Sequence, residues 1–336
     1  MTGGIIANNI ASWGGGGVWV WYESFVMSNG KISNNTASVG GGVYVSTGSF
    51  SMSGGVIANN TNRDTLVNGV AFSAGGGVFV SDGSFNMSSG VIAHNTAIHG
   101  GGVNVDTGSF IMSGGTISDN KATKCGGGVN VYHAGSFSLL GGAITVNRAT
   151  DGGGVYLFRS DIDGSYGFFN MSGGVISDNT AFNNGGGIGV ENLAGLEHIY
   201  VSNGAVFSNN RASAAYNRNP AHNNLYNKYI MGNVVWSSPF TQGYNNYDIS
   251  YTSGTLFTNT DKNDQDNSGG NSDSNSNDEG LSGSNDDGND SSSNSDKRPS
   301  ILWDEQTKFL LVIVALGLVA GVSAIVLFVY FQKEET

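Results

Sequence analysis

The chain of 336 residues carries 54 glycines and 3 prolines, and only 12% of it is charged. That composition excludes an ordinary globular enzyme and selects extended structure with many tight corners, where glycine supplies backbone angles other residues avoid. A formal net charge of -12, from 14 Lys+Arg against 26 Asp+Glu, leaves no basic cluster to neutralise phosphates and excludes nucleic acid as a partner.

The opening Met1-Thr2-Gly3-Gly4-Ile5-Ile6-Ala7-Asn8-Asn9 nearly copies the internal stretch from Met52 to Asn60. Met1 therefore reads as a repeat methionine, and the expectation is an N-terminally truncated piece of a longer secreted protein. A glycine triplet followed by Val or Ile then recurs at Gly15, Gly40, Gly75, Gly100, Gly126, Gly152 and Gly185, with shortest spacings of 25 or 26 residues. Each triplet precedes a second run, such as Phe25-Val26-Met27, Phe50-Ser51-Met52 and Phe85-Asn86-Met87, weakening to Ile199-Tyr200-Val201. A third run, such as Gly30-Lys31-Ile32, leads to an asparagine.

Three short alternating runs bounded by Gly, Ser or Asn predict three strands and three corners per coil. The period of two places Val18, Val20, Phe25, Met27 and Ile32 inward, with Trp19 and Val26 outward. No coil buries that face alone, so coils must stack roughly 4.8 Å apart, and eight of them rise roughly 38 Å. Cys125 is the single cysteine, which excludes intrachain disulfides and leaves stacking as the source of stability. Asn9, Asn35, Asn60, Asn95, Asn120, Asn147, Asn179 and Asn209 each lie five residues after a repeat glycine, which predicts a structural ladder of stacked amides along the axis. Longer coils carry extra residues between strands, from Asn62 to Val70 and from Phe158 to Tyr166, read as projecting loops.

The pattern Gly-Gly-Gly-Val-x-Val followed by Gly-Ser-Phe-x-Met-Ser-Gly-Gly-x-Ile-x-x-Asn resembles the repeat of right-handed parallel β-helix, adhesin-like surface proteins of host-associated microbes, over about residues 1–212. It is distantly similar to the repeats of chlamydial polymorphic outer-membrane proteins through Gly141-Gly142-Ala143-Ile144 and Phe207-Ser208-Asn209-Asn210. The resemblance implies an all-β, right-handed parallel β-helix with three strands per coil and about eight coils, and a role in adhesion or surface display.

Residues 213–260 lose the triplet and are expected to form irregular last coils or a cap. Residues 261–308 comprise an acidic Asn/Ser/Asp/Gly-rich stalk, too poor in apolar residues to bury a core, and a juxtamembrane segment. The apolar run 309–331 is long enough for a single C-terminal transmembrane helix, flanked by Trp303 and Tyr330 and followed by the short tail 332–336. Gly317 and Gly321 form a small-xxx-small pair that suits helix self-association, against the alternative of chance in a glycine-containing span. Lys297, Arg298 and Lys308 precede the span and Lys333 alone follows it. The expectation is nonetheless a β-helix outside the cell, because long domains translocate largely regardless of charge; the alternative is a tail-anchored protein with a cytosolic β-helix.

On the first strand the residue between the two inward positions is Trp19, Tyr44, Phe79, Asn104, Asn130, Tyr156 or Gly189, an expected solvent-facing stripe. Such aromatics and amides stack on sugar rings or bind protein; alternatively they shield the sheet and one another. Asp82 and Asp106 are the nearest approach to paired carboxylates, while His94, His99 and His133 stand isolated and Cys125 has no base beside it. No catalytic residue, metal or cofactor is expected. The reading is a membrane-anchored cell-surface adhesin-like or display protein for glycans or proteins of a host or neighbouring cell; the alternative is a polysaccharide-active β-helix lyase or hydrolase.

Overall fold

The computed structural model describes residues 1–63, 75–160, 163–216 and 223–252. The expected stalk, transmembrane helix and tail, with Gly317 and Gly321, lie outside those residues, as does most of the Asn62 to Val70 insertion. Among the described residues no helix is long and apolar enough to cross a membrane.

Each glycine triplet leads into a three-residue strand. Val18–Val20, Val43–Val45, Val78–Val80, Val103–Val105, Val129–Val131, Val155–Leu157 and Ile188–Val190 pair in parallel, and Ile249–Tyr251 completes this eight-stranded sheet. Valine lies over valine and outward residue over outward residue, so the files expected from the repeat are present. The Phe and Ile runs share one 13-stranded sheet. Their corner is softer than expected: Ser49–Ala58 and Ser84–Ala93 each run through it as one 10-residue strand. Gly55 and Gly90, at φ of 88° and 99°, absorb the bend while pairing resumes on both sides.

A short fourth strand per coil departs from the expected three. Thr36–Ala37, Thr61–Asn62, Thr96–His99, Lys121–Cys125, Arg148–Ala149 and Thr180–Ala181 form a six-stranded sheet of their own. The residue before each ladder asparagine (Asn34, Asn59, His94, Asp119, Val146 or Asp178) takes a left-handed φ between 55° and 59°. That turn swings the backbone into a new direction, where its polar groups must pair with the neighbouring coils.

The core consists of vertical files. Phe50, Phe85, Phe110 and Phe137 stack with ring centroids 4.7 Å apart and nearly parallel planes, matching the strand spacing of about 4.8 Å. Val, Met and Ile files complete an interior closed to solvent. The triplet glycines are required by this closeness. Gly40 sits at φ 59°, and a Cβ on Gly42 would meet the Gly77 carbonyl oxygen at 2.6 Å and Asn60 Nδ2 at 3.0 Å.

The amide ladder runs along the stack with one polarity. In each step the backbone N–H and Nδ2 of one asparagine donate to Oδ1 of the next, at 2.9–3.0 Å from Asn60 to Asn95 and 3.0 Å from Asn95 to Asn120. Nδ2 also donates backwards to an isoleucine carbonyl, as Asn120 does to Ile92 at 2.9 Å. The last member corrects the expected series: Asn179 donates to Asn210, and Asn209 is exposed at φ 55°. The corner from Ser202 to Ala205 holds one residue more than that from Ser172 to Gly174, because Val206 pairs with Val175 while Val201 pairs with Met171. Counting from Gly204 therefore falls one place short. Asn210 in turn donates to the buried Asp248 carboxylate at 3.2 Å, which also accepts from Ser237 and Asn245. Burial raises the Asp248 carboxyl above the usual range, and these donors oppose the rise.

The helix Asn223–Tyr229 rests its Leu225 and Tyr226 against the core, and Trp236 stacks on Phe207 at 5.0 Å.

Candidate functional site

The outward file of the eight-stranded sheet is not the open stripe expected of it. Trp19 is 45% exposed and Tyr44 partly buried, whereas Phe79, Asn104, Asn130 and Tyr156 are buried. Neighbouring side chains explain the burial. Val39 and Tyr44 pack on Phe79, and Phe158 from the coil-six insertion lies against His99, Tyr132 and Tyr156. Asn130 donates to Asn104 at 2.6 Å within the covered region, which leaves Asn104 Nδ2 and Asn130 Oδ1 without partners.

Solvent reaches the file only at its first coils, and there the sequence places more rings than the strand pattern alone singled out. Trp21 continues the alternation two residues after Trp19 and shares its face. Trp19 and Trp21 stack at 5.2 Å with an interplanar angle of 4°, Trp21 stacks on Tyr22 at 5.6 Å, and Trp19 stacks on Tyr44 at 5.6 Å. Tyr44 meets Phe79 at 5.4 Å, so five rings run continuously from the buried file to Tyr22 at 74% exposure. The segment from Val18 to Phe25 lines an open hollow of about 480 Å³, with Glu23 as its charged member.

Tyr22 also borders a second, polar hollow of about 350 Å³ at the corner after the first strand, lined by Thr47, Gly48, Ser49, Asp82, Gly83, Ser84 and Ser109. Its glycines Gly48 and Gly83 pack closely on the preceding coil. A Cβ on Gly48 would lie 2.2 Å from the Glu23 carbonyl oxygen, and one on Gly83 2.3 Å from that of Gly48. Asp82 accepts hydrogen bonds from the Ser81 hydroxyl at 3.1 Å and from the Thr107 hydroxyl.

Asp82 and Asp106 occupy different corner positions. With Val80 paired to Val105 and Val105 to Val131, Asp106 lies over Ser81 and under Tyr132, while Asp82 lies under Thr107. The two acids therefore have separate partners: Asp106 Oδ1 meets His133 Nδ1. The histidine read as isolated is thus brought onto a carboxylate, a diagonal contact between coils that a strand-by-strand register does not display.

The covered region is chemically quiet. Burial, aided by Lys124, lowers His99 to about 4, so its ring is neutral at pH 7. Burial first and Asp151 second push the Cys125 thiol up to about 12, which removes the thiolate needed for reactivity. Among the described residues no three His, Cys, Asp or Glu side chains gather to hold a metal ion.

The family model described as the right handed beta helix region matches residues 2–144. No curated protein and no solved structure matches the chain.

Proposed function

We propose, for a chain whose residues 2–144 match the right handed beta helix region model, that it is an adhesin-like rod displayed on the cell surface, binding glycan or protein through the exposed rings of its first coils. The observation that carries this reading is the stacked run Tyr22, Trp21, Trp19 and Tyr44, an aromatic surface beside a hydroxyl-lined hollow. Aromatic faces take the apolar faces of sugar rings, and neighbouring polar groups take their hydroxyls. The acidic segment 261–308 acts as a tether, and the apolar run 309–331 anchors it with the β-helix outside.

The test is a glycan-array and host-cell binding assay on cells displaying the full chain. Wild type binds, and Trp21→Ala, which removes one ring of the stack, weakens binding by roughly tenfold. Equal binding by Trp21→Ala and Tyr22→Ala variants refutes the aromatic surface as the site. A second reading, a polysaccharide lyase or hydrolase, draws on the Asp106 and His133 pair, in which a carboxylate orients an imidazole as general bases require. Depolymerisation that is lost in Asp106→Asn selects that reading.

A further inference from the structure

We infer that the glycan taken by this surface is a linear, uncharged chain lying along the solenoid axis; the inference rests on the glycan-binding reading and names its ligand class. Two features of the described structure carry it, one of charge and one of spacing.

Among the described residues the charged side chains lining the two hollows are both acids, Glu23 in the aromatic hollow and Asp82 in the polar one, and no Lys or Arg lines either. A uronate or sulfate seated there meets like charge with no cation to offset its desolvation. An uncharged sugar meets acceptors for its hydroxyl protons, since an ionised carboxylate has several lone pairs to offer beyond those engaged by Ser81 and Thr107. The hydroxyls of Thr47, Ser49, Ser84 and Ser109 complement these with groups that both donate and accept.

Spacing sets the direction. Ser24, Ser49, Ser84, Ser109 and Ser136 lie in register, one per coil, at the start of the Phe strand. Successive coils repeat every roughly 4.8 Å, close to the length one pyranose adds to an extended chain. A linear glycan along the axis therefore passes a serine about once per sugar, with Tyr22 as the ring platform joining the two hollows. The file ends at coil six, where Phe168 occupies the serine position over Ser136.

The experiment titrates the full chain with linear gluco-, manno- and galacto-oligosaccharides, each beside the same chain oxidised at C6 to the uronate, by calorimetry at low and physiological salt. The expected result is that at least one neutral series binds and its uronate counterpart binds roughly tenfold or more weakly. Raising the salt narrows that gap, because the discrimination is electrostatic. Asp82→Asn weakens the neutral ligand and admits the uronate more readily, while Ser84→Ala weakens the neutral ligand without changing the ratio. A uronate bound as tightly as its neutral counterpart overturns the charge inference and leaves the glycan reading standing. Failure of every chain of either kind to bind sinks the glycan reading and the inference together.

Discussion

Replacing Asn120 by alanine tests the central support of the stack. Asn120 Oδ1 accepts from the backbone N–H and Nδ2 of Asn95, both at 3.0 Å, and its Nδ2 donates to the Ile92 carbonyl at 2.9 Å and to Asn147 Oδ1 at 3.0 Å. Alanine removes all of these and strands two donors of Asn95, a residue with no exposed surface. At roughly 1–3 kcal/mol for each buried group left unpaired, the cost is roughly 2–6 kcal/mol. Asn9 makes the same type of contact at the exposed end of the ladder, where water replaces a lost partner and Asn35 Oδ1 is still reached by the Asn9 backbone. Asn9→Ala should cost about 1 kcal/mol or less. Repeat stacks can unfold in parts, so the suitable assay is native-state hydrogen exchange resolved by segment, supported by urea unfolding. The ladder is refuted as a stabilising element if the two substitutions agree within about 1 kcal/mol, or if exchange in Asn120→Ala rises no more around coils four and five than at the ends.

Three further outcomes are expected. Gly102→Ala places a Cβ 2.6 Å from the Gly128 carbonyl oxygen and 2.9 Å from Ile117 Cγ2, and should cost roughly 1–3 kcal/mol in urea unfolding. His99 is held neutral by burial, so the unfolded chain binds the extra proton first: stability is full above about pH 6.5 and falls as pH drops towards about 4. The loss is roughly 3 kcal/mol, and His99→Gln should flatten that part of the stability profile. Cys125 should resist a thiol reagent in the native protein at pH 8 and react on unfolding; rapid native reaction would contradict its burial and raised thiol.

The period, the inward Val, Phe, Met and Ile files and most of the asparagine ladder were legible in the repeat, because stacking identical coils obliges each position to lie over its equivalent. The alternation at Trp19 also foretold which face its ring takes, and Trp21 follows from the same rule. Tertiary structure decided what that face meets. Phe79 and Tyr156 obey the alternation as Trp19 does, yet they are covered: Tyr44 leans onto Phe79 from the same file, while Val39 and Phe158 come from a corner and an insertion outside the repeat strands. The same is true of the ladder's end at Asn210 and of His133 on Asp106. Both depend on how many residues each corner spends and how its chain leans between coils, whereas a periodic pattern specifies only contacts between equivalent places.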